Sequence, residues 1–128
     1  MSTLALRASR HALVLACLLA LTTTACSASR SPTDPAVRAE ARQIWQDRCA
    51  NCHGPTGNAD GPQARHLLVP PRRLSDPTWQ STVTDDHLRT VILEGGPAVG
   101  LHPVMAPNPD LRGKPEVLAA LVELVRGL

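Results

Sequence analysis

The sequence predicts an all-α fold of three to four helices joined by long loops, on three observations. Three segments place apolar residues at helical spacing, around residues 35–52, 85–94 and 115–128. No segment alternates apolar and polar residues as a half-buried strand does. The 12 prolines and eight glycines crowd into the stretches between those segments, where they exclude long helices and central strands. A chain of 128 residues has room for one small domain, and not all of this one is fold.

Residues 1–25 read as an export signal. Arg7 and Arg10 precede an apolar run over residues 12–21 (ALVLACLLAL), and small residues lead to Cys26. The run is about half the ~20 residues that a bilayer-spanning helix requires. Residues 26–33 read as a polar tether, and residues 34–128 as the domain. Arg7 and Arg10 account for the formal charge of +2, so the rest of the chain is balanced and offers no basic field for nucleic acid.

Within the domain, Asp34-Pro35 is an N-cap followed by proline at the first helical position. Val37, Ala41, Ile44, Trp45 and the stem of Arg48 then share one face, which predicts a helix to about Cys52. Residues 54–71 hold three glycines and four prolines, and read as an ordered loop. Asp76-Pro77 starts a short turn carrying Trp79. Thr84-Asp85-Asp86 starts a helix with Leu88, Val91 and Ile92 inward, stopped at Gly95-Gly96. Residues 97–113 form a second loop. Pro115 opens the last helix, with Val117, Leu118, Leu121, Val122, Val125 and Leu128 in one stripe.

Cys49-Ala50-Asn51-Cys52-His53 is the C-x-x-C-H pattern of covalent haem attachment. Two thiols three residues apart near a helix end can add to the two vinyl groups of one porphyrin edge, and the next imidazole then falls beneath the iron. Three other readings fit less well. A thioredoxin-like C-x-x-C needs a βαβ setting. A structural zinc site needs four ligands and usually a second paired knuckle, and a disulfide across two residues leaves His53 unexplained. A haem also answers the composition. With no Phe or Tyr and only Trp45 and Trp79, a domain this small is marginal unless something large and apolar fills its middle.

From these residues, 34–128 resemble a class I c-type cytochrome domain. Ala41 and Trp45 match the small and aromatic positions at which the family's first helix crosses its last. Cys52-His53-Gly54, Gly57 and Asp60-Gly61-Pro62 match its glycine-rich stretch after the haem motif. Leu124 stands where an aromatic is common, so the crossing is expected to be less filled. The resemblance implies one covalent haem c on Cys49 and Cys52, with His53 as proximal iron ligand. It also implies a methionine from the loop before the last helix, and Met105 is the only methionine besides the initiator. A thioether favours reduced iron and raises the potential. Family members often carry proline directly after this methionine, whereas Ala106 intervenes here, and His102 is the alternative ligand. His53 is expected to donate its other ring N–H to a proline carbonyl, from Pro70 or Pro71. Arg72, Arg73 and Trp79 are candidates to bond the propionates.

Cys26 after Thr23-Thr24-Ala25 resembles a bacterial lipobox, with Thr23 where that motif usually has Leu. A free thiol retained in an exported haem protein would interfere with thioether formation, which favours acylation. Signal-peptidase cleavage at a neighbouring small-x-small site is the other reading. The expected protein is thus an electron carrier of the periplasm or cell envelope, tied to a membrane surface through Cys26. Its partners would be redox proteins, with no nucleic acid and no small-molecule substrate. The competing functions are a peroxidase-like or gas-binding haem protein with a labile sixth ligand, and a cytochrome subunit of a membrane redox complex.

Overall fold

The computed structural model describes residues 31–128; the leader, Cys26 and the first part of the tether lie outside the described residues. Asp34 caps α1 (Pro35–Ile44), its carboxylate accepting the Ala36 amide at 2.8 Å with Pro35 at the first helical position. The chain passes without a break through a π-turn (Trp45–Cys49) into α2 (Ala50–His53). The expected helix to about Cys52 is therefore present, but it is not regular. At the π-turn the Ala50 amide reaches back five residues to Trp45, and the Asn51 side chain takes the Asp47 carbonyl at 3.1 Å.

Asp76 caps a two-turn helix, α3 (Pro77–Thr82), where the sequence suggested only a turn; its carboxylate accepts the Thr78 and Trp79 amides. Thr84 caps α4 (Asp85–Glu94) through the His87 amide, and Gly95 ends it at φ +82°. α5 (Pro115–Arg126) begins at proline as expected. Short 3₁₀ turns at Ala64–His66, Gly96–Val99 and Pro109–Gly113 punctuate the loops. Among the described residues there is no strand, so the fold is all-α. None of the described helices is long and apolar enough to cross a membrane.

The core forms where α1 crosses α5, with α4 packed against α5. Val37, Ala41, Ile44 and Trp45 meet Val117, Leu118, Ala120, Leu121, Val122 and Val125, joined by Leu74, Leu88, Ile92 and Leu111. Ala41 and Ala120 are both small and buried, which suits a close approach of two helix axes. A surface groove of about 220 Å³ remains beside them, lined by Arg38, Ala41, Arg42, Ala120, Glu123 and Leu124. Leu124, the position at which the sequence resemblance implies an aromatic, forms part of its wall. Trp45 is buried, and its indole N–H donates to the Pro55 carbonyl at 3.3 Å, fixing the start of the first loop against α1.

Arg126, at the end of α5, binds the α3–α4 corner. Its guanidinium donates to the Gln80 carbonyl and side-chain oxygen, the Val83 carbonyl and the Asp85 carboxylate at 2.6–3.0 Å. Gln80 in turn donates to the carbonyls of Leu74 and Val125.

Candidate functional site

The first loop folds back over the end of α2 and satisfies every carbonyl there. Gly54 N–H donates to Ala50, Gln63 to Asn51, Gly61 to Cys52 and Ala59 to His53, at 2.8–3.3 Å. A helix end leaves four carbonyls without partners, and here the backbone of one loop supplies all four. The C-x-x-C-H segment is thereby held as one rigid turn. Gly61 makes this possible, because a Cβ there would overlap the carbonyl oxygens of Ala50 and Asn51.

Cys49 and Cys52 are free thiols, each half-buried. Burial pushes the Cys49 thiol up to about 11, against the pull of the Arg48 charge and with a push from Cys52. The sulfur stays protonated at neutral pH and is not the exposed thiolate of a redox enzyme. His53 Nδ1 lies 2.9 Å from the Arg72 carbonyl oxygen. That oxygen can only accept, so Nδ1 carries the proton and Nε2 presents its lone pair. Burial, opposed by the hydrogen bond to Arg72, lowers the His53 pKa below its ordinary value and favours the neutral ring that an iron ligand must be.

The expected carbonyl partner was that of Pro70 or Pro71; the structure corrects it to Arg72. Leu74 is buried, and its amide and that of Ser75 both donate to the Gly57 carbonyl. This anchors the extended segment in the register that turns the Arg72 carbonyl toward His53. The Arg72 guanidinium lies 6.0 Å from the centroid of the half-buried Trp79 ring, and Arg73 Nε donates to Ser75 Oγ. Both arginines are exposed.

On the second loop, Met105 is half-buried and His102 exposed. The Met105 carbonyl accepts the Gly96 amide at 2.9 Å, and its amide donates to the His102 carbonyl at 3.2 Å. Gly95 has room only for hydrogen here: a Cβ would stand 2.9 Å from the Met105 carbonyl oxygen. The His102 ring is engaged with its own loop, Nδ1 accepting the Val104 amide at 3.2 Å. His66 is exposed and His87 half-buried. Among the described residues no three of His, Cys, Asp and Glu are grouped to hold a metal ion.

These residues fit a covalently held haem. Two free thiols and a neutral imidazole with a free Nε2 lie on one rigid turn. The two loops expose large apolar side chains, Leu68 and Val69 on one and Leu101 and Val104 on the other, Leu68 completely. Exposed aliphatic surface on two loops is what an apolar prosthetic group would cover. An all-α domain with this turn defines a c-type haem protein.

A family model for cytochrome c matches residues 38–128, and the chain belongs to that family. Neither the comparison with curated proteins nor that with solved structures returned a match. Membership brings covalent haem c, which the spacing of Cys49 and Cys52 fits, and haem-based electron transfer as the general function. Asn108 belongs to no motif in the sequence. It joins the second loop to α4 and to Arg48, and its only sequence signal is its place between Pro107 and Pro109.

Proposed function

We propose that the domain carries single electrons in the cell envelope through haem c on Cys49 and Cys52, with His53 and Met105 as axial ligands. Bound there, the haem supplies a ferric/ferrous couple. The observation that carries the reading is the bond from His53 Nδ1 to the Arg72 carbonyl, which fixes the tautomer and leaves Nε2 for iron. Met105 is favoured over His102 because it is the more buried and its backbone is pinned to Gly96, while the His102 ring already serves Val104. A neutral imidazole and a thioether leave no position for substrate and favour the ferrous state. In this reading the protein makes and breaks no bonds, and its partners are redox proteins. An acylated Cys26 would keep it at a membrane surface, as a tethered carrier or as a subunit of a redox complex.

The test is optical. The ferric protein is expected to show the weak red sulfur-to-iron charge-transfer band, to lose it in Met105→Ala and to keep it in His102→Ala. A high-spin ferric spectrum with rapid carbon monoxide binding on reduction would replace this reading with an open-site haem enzyme or gas sensor. The mass of the mature N-terminus decides the acylation of Cys26. Co-purification from detergent-solubilised membranes separates a complex subunit from a free carrier.

A further inference from the structure

Asn108 uses all of its hydrogen-bonding groups at one junction. α4 ends with carbonyls that its own backbone leaves unpaired. Gly95 N–H takes that of Val91, and Asn108, from across the second loop, takes the next two. Its side-chain amide donates to the Ile92 carbonyl at 2.8 Å, and its backbone N–H to the Leu93 carbonyl at 3.1 Å. The remaining side-chain oxygen accepts Arg48 Nη1 at 3.2 Å, and the backbone carbonyl accepts the Leu111 amide at 3.1 Å. The loop from Gly95 to Asn108 is thus closed at its base, with Met105 three residues from the closure.

Arg48 gives the junction a second attachment. It immediately precedes Cys49, and the same Nη1 that meets Asn108 donates to both Asp110 carboxylate oxygens at 2.9 and 3.0 Å. The residue before the haem-attachment motif is therefore bonded directly to the loop that carries Met105. Elsewhere that loop is held mainly by its own turns and by Gly96, and its tip, from Leu101 to Val104, is exposed.

We propose that Asn108 is a positioning residue for the sixth ligand: with Arg48 it braces the Met105 loop against the haem-attachment turn and so holds the Met105 sulfur on the iron. The brace rests on the reading of Met105 as ligand. Without it, α4 and the α1–α5 core persist, but the base of the loop opens and the sulfur leaves more often.

The experiment is displacement of the sixth ligand by imidazole in the ferric holoprotein, followed by stopped flow. At saturating imidazole the observed rate is the rate at which the native ligand leaves. Asn108→Ala is expected to raise it by about tenfold, the equivalent of ~1.4 kcal/mol, and to weaken the charge-transfer band. Arg48→Ala should raise it less, and Arg48→Lys, which keeps a charged donor, should restore most of the difference. Arg126→Ala, which unbinds the α3–α4 corner and removes no bond to the Met105 loop or to Arg48, should lower stability and leave the rate unchanged. A wild-type rate in Asn108→Ala overturns the brace, and so does an increase that Arg126→Ala matches. If Asn108→Ala yields no holoprotein, an unchanged rate in Arg48→Ala overturns it. If the wild type lacks the band and Met105→Ala exchanges at the wild-type rate, the ligand reading itself fails, before any brace variant is compared.

Discussion

Gly61 packs its α-carbon against the carbonyl oxygens of Ala50 and Asn51, leaving no space for a side chain between the first loop and the haem-attachment turn. The obstacle is backbone on a capped helix end, which cannot swing aside as a side-chain tip can. Overpacking costs about 1–3 kcal/mol, and a rigid neighbour puts Gly61→Ala at the upper end. A melting temperature lower by about 15 °C follows for a domain of this size, with a lower yield of covalent haem. Gly113→Ala, at a position with nothing within 4 Å and no positive φ, serves as the control and should melt like the wild type.

Ala59 stands two residues before that contact at φ +62°, among the described residues the one non-glycine in the left-handed region. It is held there because its amide caps the His53 carbonyl at 2.8 Å. The left-handed conformation costs a residue with a Cβ roughly 1–2 kcal/mol, and glycine gives back part of this by loosening the unfolded chain. Ala59→Gly should therefore stabilise the protein by about 0.5 kcal/mol. A denaturant midpoint moving to higher concentration at constant slope would bear this out, and an equal or lower midpoint would refute it.

Arg126 makes four hydrogen bonds from the far end of α5 to the α3–α4 corner. Ala at this position leaves the Gln80 and Val83 carbonyls without their charged donor and frees the α3–α4 corner. Hydrogen bonds to charged groups are worth about 1.5–3 kcal/mol each when buried, and this side chain is 29% exposed. A loss of about 2 kcal/mol, or ~10 °C in melting temperature, is the expected outcome for Arg126→Ala. Lysine should recover only part of it, because one ammonium cannot span acceptors that the planar fork reaches together.

What the sequence made legible were features with local causes. Asp34-Pro35, Thr84 and Gly95 mark helix ends because a cap acts on residues within one turn of itself, and all three do so in the structure. The apolar stripe of α5 was legible because helical spacing alone decides which residues share a face. The partner of His53 was not. Pro70 to Arg73 has no periodicity, and the burial of Leu74 with its bond to Gly57 selects Arg72 from outside the segment. The π-turn was hidden for a similar reason, since one of its displaced carbonyls is met by the Asn51 side chain and the loop then locks the turn that follows. Ion pairs such as Lys114–Glu40 join residues that only the α1–α5 crossing brings together.

A further ion pair, Arg112 with Glu94, ties the last residue of α4 to the 3₁₀ turn before α5. The hydrogen bond from Arg112 holds the Glu94 carboxyl below its ordinary pKa, opposed by desolvation and helped by the Arg112 charge. A carboxyl depressed in the folded state binds fewer protons there than in the unfolded chain. Its stabilisation is therefore complete above the unfolded pKa, about 4.3, and lost as pH falls through the folded value. Arg112→Ala removes the depression, so the variant should melt slightly below the wild type at pH 7. The two should converge as the pH falls through 4 and below. Both side chains are exposed, so the neutral-pH difference should also shrink when salt shortens the screening length. Melting curves at pH 7 and pH 3, each at low and high salt, test both statements. A gap that persists undiminished at pH 3 would show that Arg112 stabilises the fold through packing and not through its charge.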